Sequence, residues 1–292
     1  MGGRPAGSRF AALSGRRPAA FVVALWALGM LVVLAWAAPF LWMVSTSFKL
    51  PGEVMTRNVE WIPNRVTLEN YRKVFEQPVW RWLVNSLIVA TTATAVSLLT
   101  GAMAGYAFAR LHFPGRNALF FLVLATLMIP TEMTIVPLFI AFLRTNLVDT
   151  YAAFILPSVA SVFSVYLFRQ FFMSLPRELE DAARVDGAGR FRIFFSIALP
   201  LAQPAVIAAA ILLFTTNWNA FLWPLLVAFS EEMKTLPVGM AVYSPGIGGQ
   251  TQIESFGPAM AAMTILTLPS LLVFLLLQRH FIAGVTSTGV KG

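Results

Sequence analysis

Long stretches of this chain carry no charged residue: 18–48, 82–109, 150–168, 193–230 and 255–278, with 117–143 interrupted only by Glu132. Each reaches the roughly 20 apolar residues that a helix needs to cross a hydrocarbon core of about 30 Å. Lipid offers the backbone no hydrogen-bond partner, and the period-two alternation of a closed barrel is missing, so the crossings must be helical. The pattern predicts six membrane helices, at about 20–45, 83–108, 118–142, 151–172, 202–226 and 259–281. No repeat, low-complexity tract or linker divides the chain. It therefore reads as an all-α integral membrane protein: one domain, 18–292, behind a basic segment, 1–17. The first run reads as a membrane helix and not as a cleaved signal, despite the A-x-A triplet Ala35-Trp36-Ala37, because a signal's apolar region spans only about 7–15 residues.

Composition agrees with this reading: 58% of the 292 residues are hydrophobic and 12% are charged, unlike any ordinary soluble domain. The net charge of +8 does not form a nucleic-acid patch, because the basic residues sit at the borders of the apolar runs. Arg4, Arg9, Arg16 and Arg17 precede the first run, Arg110 and Arg116 separate the second and third, and Arg279 and Lys291 follow the sixth. The positive-inside rule puts those segments, and both termini, in the cytoplasm. Trp80, Trp82, Trp223 and Tyr151 fall at helix ends, where interfacial aromatics belong. Cysteine is absent, which removes disulfides, thiolate chemistry and zinc ribbons from consideration.

Between the fourth and fifth runs, from Arg177 to Arg192, eight of sixteen side chains are charged. Pro176 suits a helix's first turn, and Glu178, Glu180 and Asp181 favour the positive end of its dipole. Leu175, Leu179 and Ala182, with Ala183 beside them, form a narrow apolar stripe, and Arg177, Asp181 and Arg184 cover another face. Gly187 and Gly189 permit a C-cap and a change of direction. Phe191, Phe194, Phe195 and Ala198 then make a second amphipathic face before Pro200 and Pro204. The expectation is a short helix, a glycine corner and a second short helix on the cytoplasmic side, over about 174–200. A merely solvated loop would need neither the small Ala182-Ala183 pair nor two apolar faces; a docking knob uses both.

This stretch resembles the EAA loop of ATP-binding-cassette importer permeases: E-A-A, three residues, G, nine residues, I-x-L-P. The pattern falls on Asp181-Ala182-Ala183, Gly187, Ile197, Leu199 and Pro200 with its spacing intact, Asp standing where Glu is usual and Glu180 one place earlier. Further stretches resemble the carbohydrate importers, in particular the smaller permease of maltose-type systems. They are PFLWMVSTSFK at 39–49, NSLIVA at 85–90, YAFARLHFPGRNALF at 106–120, LMIPTEMTIVPLF at 127–139, WNAFLWPLL at 218–226 and the terminal GVKG.

The resemblance implies a type I importer permease with no catalysis of its own, in a bacterial inner membrane. Its partners would be a second homologous permease, a dimer of ATPases that binds the ATP and magnesium, and an extracytoplasmic sugar-binding protein. No cofactor is implied for this chain, and none of its four lysines stands in the Gly-Lys step of a Walker A loop. The loop, with Glu180, Asp181, Ala182, Ala183, Asp186 and Gly187, would be the coupling helix seated on an ATPase subunit, moving the fourth and fifth membrane helices when ATP closes that dimer. In maltose-like relatives the loop before the last helix enters the binding protein, which here points to 243–252, with Tyr243, Gly246, Gly248, Gly249 and Gln250. The polar tail with Lys291 would reach the ATPase dimer.

Candidates for the sugar path are polar groups at membrane depth. Glu132 is the one acidic residue inside a predicted span, between Pro130 and Pro137, which together should break the helix; it either faces a cavity or braces the structure. Asn217, Trp218, Asn219 and Trp223 combine amides with aromatic planes suited to a sugar, and equally to helix packing. Gly101 and Gly105 form a GxxxG, expected to bring two helices close. An ion-coupled transporter would want several buried ionisable groups, and only Glu132 qualifies. His112 in a loop and His280 at a span end make no catalytic or metal constellation.

Overall fold

The computed structural model describes residues 19–54, 60–244 and 252–288, with side chains described at 20–54, 60–244 and 256–278. Helices account for all regular structure among these residues. In chain order they are α1 (Ala19–Ser47), α2 (Pro51–Val54), α3 (Glu69–Phe75), α4 (Val79–Arg110), α5 (Arg116–Ala125), α6 (Thr131–Arg144), α7 (Tyr151–Ile155), α8 (Val162–Ser174), α9 (Glu178–Val185), α10 (Arg190–Ile193), α11 (Leu199–Leu201), α12 (Gln203–Trp218), α13 (Leu222–Val227), α14 (Leu236–Met240) and α15 (Gln252–Thr288).

Four continuous helical segments are long and apolar enough to cross a membrane: Ala20–Ser47, Val79–Arg110, Tyr151–Ser174 and Phe256–Gln278. The other two predicted spans are broken. Arg116–Met128 and Thr131–Arg144 meet at 97°, and Arg190–Leu201 and Gln203–Trp218 at 76°, so six crossings result only if each bent pair counts as one. The first break lies at Pro130, whose extended backbone opens α6, whereas Pro137 sits inside α6 without ending it. The second follows a π-helical stretch, Phe194–Ala198, and is flanked by Pro200 and Pro204, each of which withholds a backbone N–H. The predicted fifth span, 202–226, also stops early: α12 ends at Trp218, and α13 is a separate element.

Central to the bundle is α4, packed along α8 and α12; α15 packs on α12, α3 and α1. The α4–α8 approach is set by the two glycines. A Cβ on Gly101 would lie 2.3 Å from Cβ of Ser164, and one on Gly105 would lie 2.7 Å from Cβ of Phe168 and 2.8 Å from the Arg169 backbone N. Only the absence of side chains permits this crossing, as the GxxxG spacing predicts. By contrast α1 buries none of its apolar window in this chain and touches the rest mainly through α15.

At the end of α4 remote from α9, the loop over 229–236 is laced onto the helix. Trp82 Nε1 donates to the Glu231 carbonyl at 3.1 Å, Asn85 Nδ2 donates to the carbonyls of Glu232 and Lys234 at 2.7 and 2.9 Å, and Ser86 Oγ accepts from the Leu236 N–H at 2.8 Å. Trp82 is 1% exposed and so is no interfacial aromatic. Its ring lies where a Cβ on Gly239 would fall 2.2 Å away, and that close approach buries it.

Candidate functional site

The charged stretch folds as its glycines and carboxylates predict, with one shift: α9 begins at Glu178, leaving Pro176 outside the helix. Three acidic residues occupy its first turn and Arg184 its last, both favourable to the helix dipole. Gly187 adopts φ +79°, the left-handed conformation that a side chain resists. The Gly187 N–H bonds to the Arg184 carbonyl at 3.0 Å and the Ala188 N–H to the Ala183 carbonyl at 2.9 Å, a Schellman closure. The chain then turns into α10 and the π-helical stretch.

Two faces of this unit differ sharply. Ala183, Ile193, Phe194 and Ala198 are buried in one cluster with Tyr106 and Ala109 of α4, Phe168 and Phe172 of α8, and Ala202, Ala205 and Ala209 near and along α12. On the other side Leu179, Ala182 and Phe195 are exposed, Val185 is 88% exposed and Phe191 is 71% exposed. Asp181 and Asp186 are exposed as well, and Asp181 bonds Arg184 Nη1 at 2.5 Å in a solvated pair. Of the remaining motif positions, Ile197 and Leu199 are half-buried against the inner cluster and Pro200 is exposed.

Glu180 departs from the expected role. At 4% exposure it points inward, so it is not part of the face that α9 offers to an ATPase subunit. Neighbouring helical residues are about 100° apart, and the step from 181 to 180 turns the carboxylate from solvent toward α4. There Arg110 Nε lies 3.1 Å from Glu180 Oε1, and the Tyr106 hydroxyl donates to Oε2 at 3.2 Å. A cavity of about 300 Å³ opens beside this pair, lined by His112, Arg177, Arg184 and Arg190 among others.

The membrane-depth candidates do not converge on one point. Glu132 is exposed in the first turn of α6, directly after the bend, and has no hydrogen-bond or ion-pair partner among the described residues. Asn217 Nδ2 donates to Thr94 Oγ1, and its Oδ1 accepts from Ser158 Oγ, both at 3.3 Å. Thr94, Ser97, Thr100 and Ser158 were not singled out by the sequence. They converge because Leu156–Ala160, which contains Pro157, is a 3-10 turn whose carbonyls need partners: Ser97 donates to the Ser158 carbonyl at 2.5 Å and Thr100 to that of Val159 at 2.6 Å. Trp218 is fully buried, stacked on Phe214 and donating to the Leu266 carbonyl at 3.0 Å, so its indole is a packing group. Asn219 is exposed and bonded to its own helix at the Thr215 carbonyl, and Trp223 is half-buried with its N–H on the Ala153 carbonyl.

On the opposite loop, Tyr243 is buried too. Its hydroxyl donates to the Lys73 carbonyl at 2.8 Å, and burial together with nearby Glu76 raises its pKa. A ring fixed this way presents no surface to a docking protein, which corrects the expectation for that residue. Gly246, Gly248, Gly249 and Gln250 lie outside the described residues, as do 1–17 and the tail with Lys291. No group of three or more His, Cys, Asp or Glu that could hold a metal occurs among the described residues.

Residues 97–287 match the model of the family described as binding-protein-dependent transport system inner membrane component. The arabinooligosaccharide transport permease AraQ of Halalkalibacterium halodurans is 42% identical over 258 residues, covering 87% of this chain and 91% of that protein. The diacetylchitobiose uptake permease NgcG of Streptomyces coelicolor is 36% identical over 290 residues, covering 97% and 92%. The sn-glycerol-3-phosphate permease UgpE of Yersinia pestis is 35% identical over 239 residues, covering 82% of each. In fold, the chain is similar to one in the crystal structure of a bacterial ABC transporter involved in alginate import, with a TM-score of 0.77 at 23% identity over 90% of this chain and 97% of that one. The family match spans the two-faced loop and most of the helices packed behind it, and the relatives align over most of both lengths: the chain belongs to the inner membrane components of binding-protein-dependent transport systems.

Proposed function

We propose that this chain is one permease of an ATP-binding-cassette importer for a sugar, an oligosaccharide or a related polyol phosphate. It forms half of a path completed by a second permease. An extracytoplasmic binding protein delivers the solute, and a separate ATPase dimer supplies the energy. The relatives named above carry such solutes. The chain crosses the membrane six times with both termini in the cytoplasm, each bent pair being one crossing, and α9 is the coupling helix.

The two-faced unit at α9 carries this reading. Its inner face is packed into the bundle, while Leu179, Ala182, Val185 and Phe191 form an apolar outer face on a segment that its charges keep out of lipid. A surface apolar, small at its centre and rimmed by Asp181, Asp186 and Arg184 fits a groove on a cytoplasmic protein. The solute path is lined by Glu132, Asn219 and Trp223, with the half-buried Asn217 and Ser158 beside them.

A photocrosslinking side chain at Val185, in the chain co-expressed with its ATPase subunit and second permease, tests the reading. The ATPase should be captured from Val185 and not from Trp80, which is exposed at the opposite end of α4. Equal capture from both positions, or none from Val185, would sink it.

A further inference from the structure

The inner face of α9 holds a buried ion pair that neither the packing nor the docking surface requires. Arg110 is the last residue of α4 and Glu180 lies in the first turn of α9; their side chains are 4% and 6% exposed. Arg110 Nη2 also donates to the Leu175 carbonyl at 2.5 Å, on the segment that leads into α9. Glu180 Oε2 accepts from Tyr106 of α4 and from Arg184, each at 3.2 Å, while Oε1 faces Arg110 Nε at 3.1 Å as an ion pair without a hydrogen bond. Each charge sits at the helix end whose dipole favours it, the cation at the C-terminus of α4 and the carboxylate at the N-terminus of α9.

Apolar side chains of the same volume would stabilise such a site as well or better, because a buried pair is desolvated at high cost. What the pair adds is direction. Arg110 holds the Leu175 carbonyl and faces Glu180, whose Oε2 is held by Tyr106, so parting α9 from α4 would break these contacts together and strand a charge in a dry site. The solvated Asp181–Arg184 pair imposes no such constraint.

We propose that Arg110 is a positioning residue that locks α9 to α4, so that displacement of α9 enters the bundle through α4 and not only through its covalent neighbours α8 and α10. The proposal rests on α9 being the coupling helix. It redirects the force path. α4 is 32 residues long, about 48 Å, and carries Thr94 and Ser97, which meet Asn217 and the Ser158 carbonyl, at mid-length and Asn85 at its far end, where the 229–236 loop is held. One rigid rod thus joins the docking unit, these polar contacts and the opposite surface.

The native chain has no cysteine, so a single Trp80→Cys, exposed at the outer end of α4, reports its movement by reaction with a membrane-impermeant maleimide. The full complex is compared before and after trapping with ATP and vanadate. The parent's reaction rate is expected to change at least about 5-fold on trapping. In Arg110→Met that ratio should fall to near one while the ATPase still copurifies and hydrolyses ATP, and Arg110→Lys should recover most of the change. The double variant Arg110→Met/Glu180→Met removes the stranded carboxylate; it should assemble like the parent and still lack the response. An unchanged parent rate, or a parent-like response in Arg110→Met or in the double variant, overturns the proposal and leaves docking intact. So does loss of ATPase capture in the double variant, which would make the pair a folding element. Failure of the ATPase to copurify with the parent defeats the coupling reading itself.

Discussion

Replacing Gly101 and Gly105 by alanine adds two methyl groups at the closest helix crossing in the bundle. The new Cβ atoms would fall 2.3 Å from Cβ of Ser164 and 2.7 Å from Cβ of Phe168, with the Arg169 backbone N at 2.8 Å and the Val165 backbone O at 3.0 Å. Carbon contacts are optimal near about 3.5–4.0 Å. The obstacles include α8 backbone, which cannot rotate aside, so α8 must retreat by about 1 Å along this stretch. Overpacking of this kind costs about 1–3 kcal/mol per site. At about 2 °C per kcal/mol for a chain of this size, the pair should lower the apparent Tm in detergent by roughly 4–12 °C. Gly29→Ala and Gly189→Ala supply the control, because no atom lies within 4 Å of the added Cβ and neither glycine has positive φ. Thermal unfolding followed by tryptophan fluorescence measures all four. If the Gly101/Gly105 double variant melts within about 1 °C of Gly189→Ala, α4 and α8 do not cross as described and the reasoning fails.

Three other outcomes follow from the same structure. Gly187→Ala meets open space but must hold φ +79°, which costs about 1–2 kcal/mol; the ATPase should copurify less well because the corner after α9 is displaced, whereas Gly189→Ala should copurify normally. Trp218→Phe keeps the stack on Phe214 and loses the bond to the Leu266 carbonyl, so stability should fall by about 1 kcal/mol with no change in which solute is carried; a changed solute preference in uptake assays would return Trp218 to the path. Partial burial of Asp149 opposes its charge, but the backbone N–H groups of Ser230 and Phe229, at 3.0 and 2.9 Å, outweigh it and hold its carboxyl below the usual aspartate range. That contribution is full above the unfolded pKa and is lost as pH falls through the lower folded one. The stability gap between the parent and Asp149→Ala should therefore be constant from about pH 7 to about pH 5 and close below about pH 4; a gap that widens on acidification would reverse the sign.

Charge-free runs marked every element that crosses or half-crosses the bundle, and the spacing of Gly101 and Gly105 marked its tightest contact, because both depend on what a side chain lacks. Bends were less legible. Pro130 and Pro137 look alike in sequence, yet only Pro130 ends a helix, since a proline inside α6 can be accommodated once its neighbours satisfy the freed carbonyl. Hydroxyls gave no signal: Thr94, Ser97 and Ser158 are ordinary residues until the 3-10 turn at Leu156–Ala160 leaves carbonyls for them to meet.

Aromatic residues misled in a consistent way. Trp82, Trp218 and Tyr243 read as interface, path and docking groups, and all three are buried with their polar atoms on backbone carbonyls. A ring with one polar atom suits a wet surface and a carbonyl-rich core equally, and only the neighbouring glycine or helix decides. The same limit explains Arg110. At the border of an apolar run it reads as a topology marker, one of several arginines facing the cytoplasm, and nothing local distinguishes it from Arg116. Its partner Glu180 reads as one more acid in a solvated helix. The two find each other because α9 folds back against the end of α4, and that return depends on the corner at Gly187 and on Phe194 and Ala198 packing beside Tyr106. A charge run is therefore two populations. Asp181, Asp186 and Arg184 keep the unit in water, while Glu180, turned inward by a single helical step, fixes the angle at which the outer face is presented.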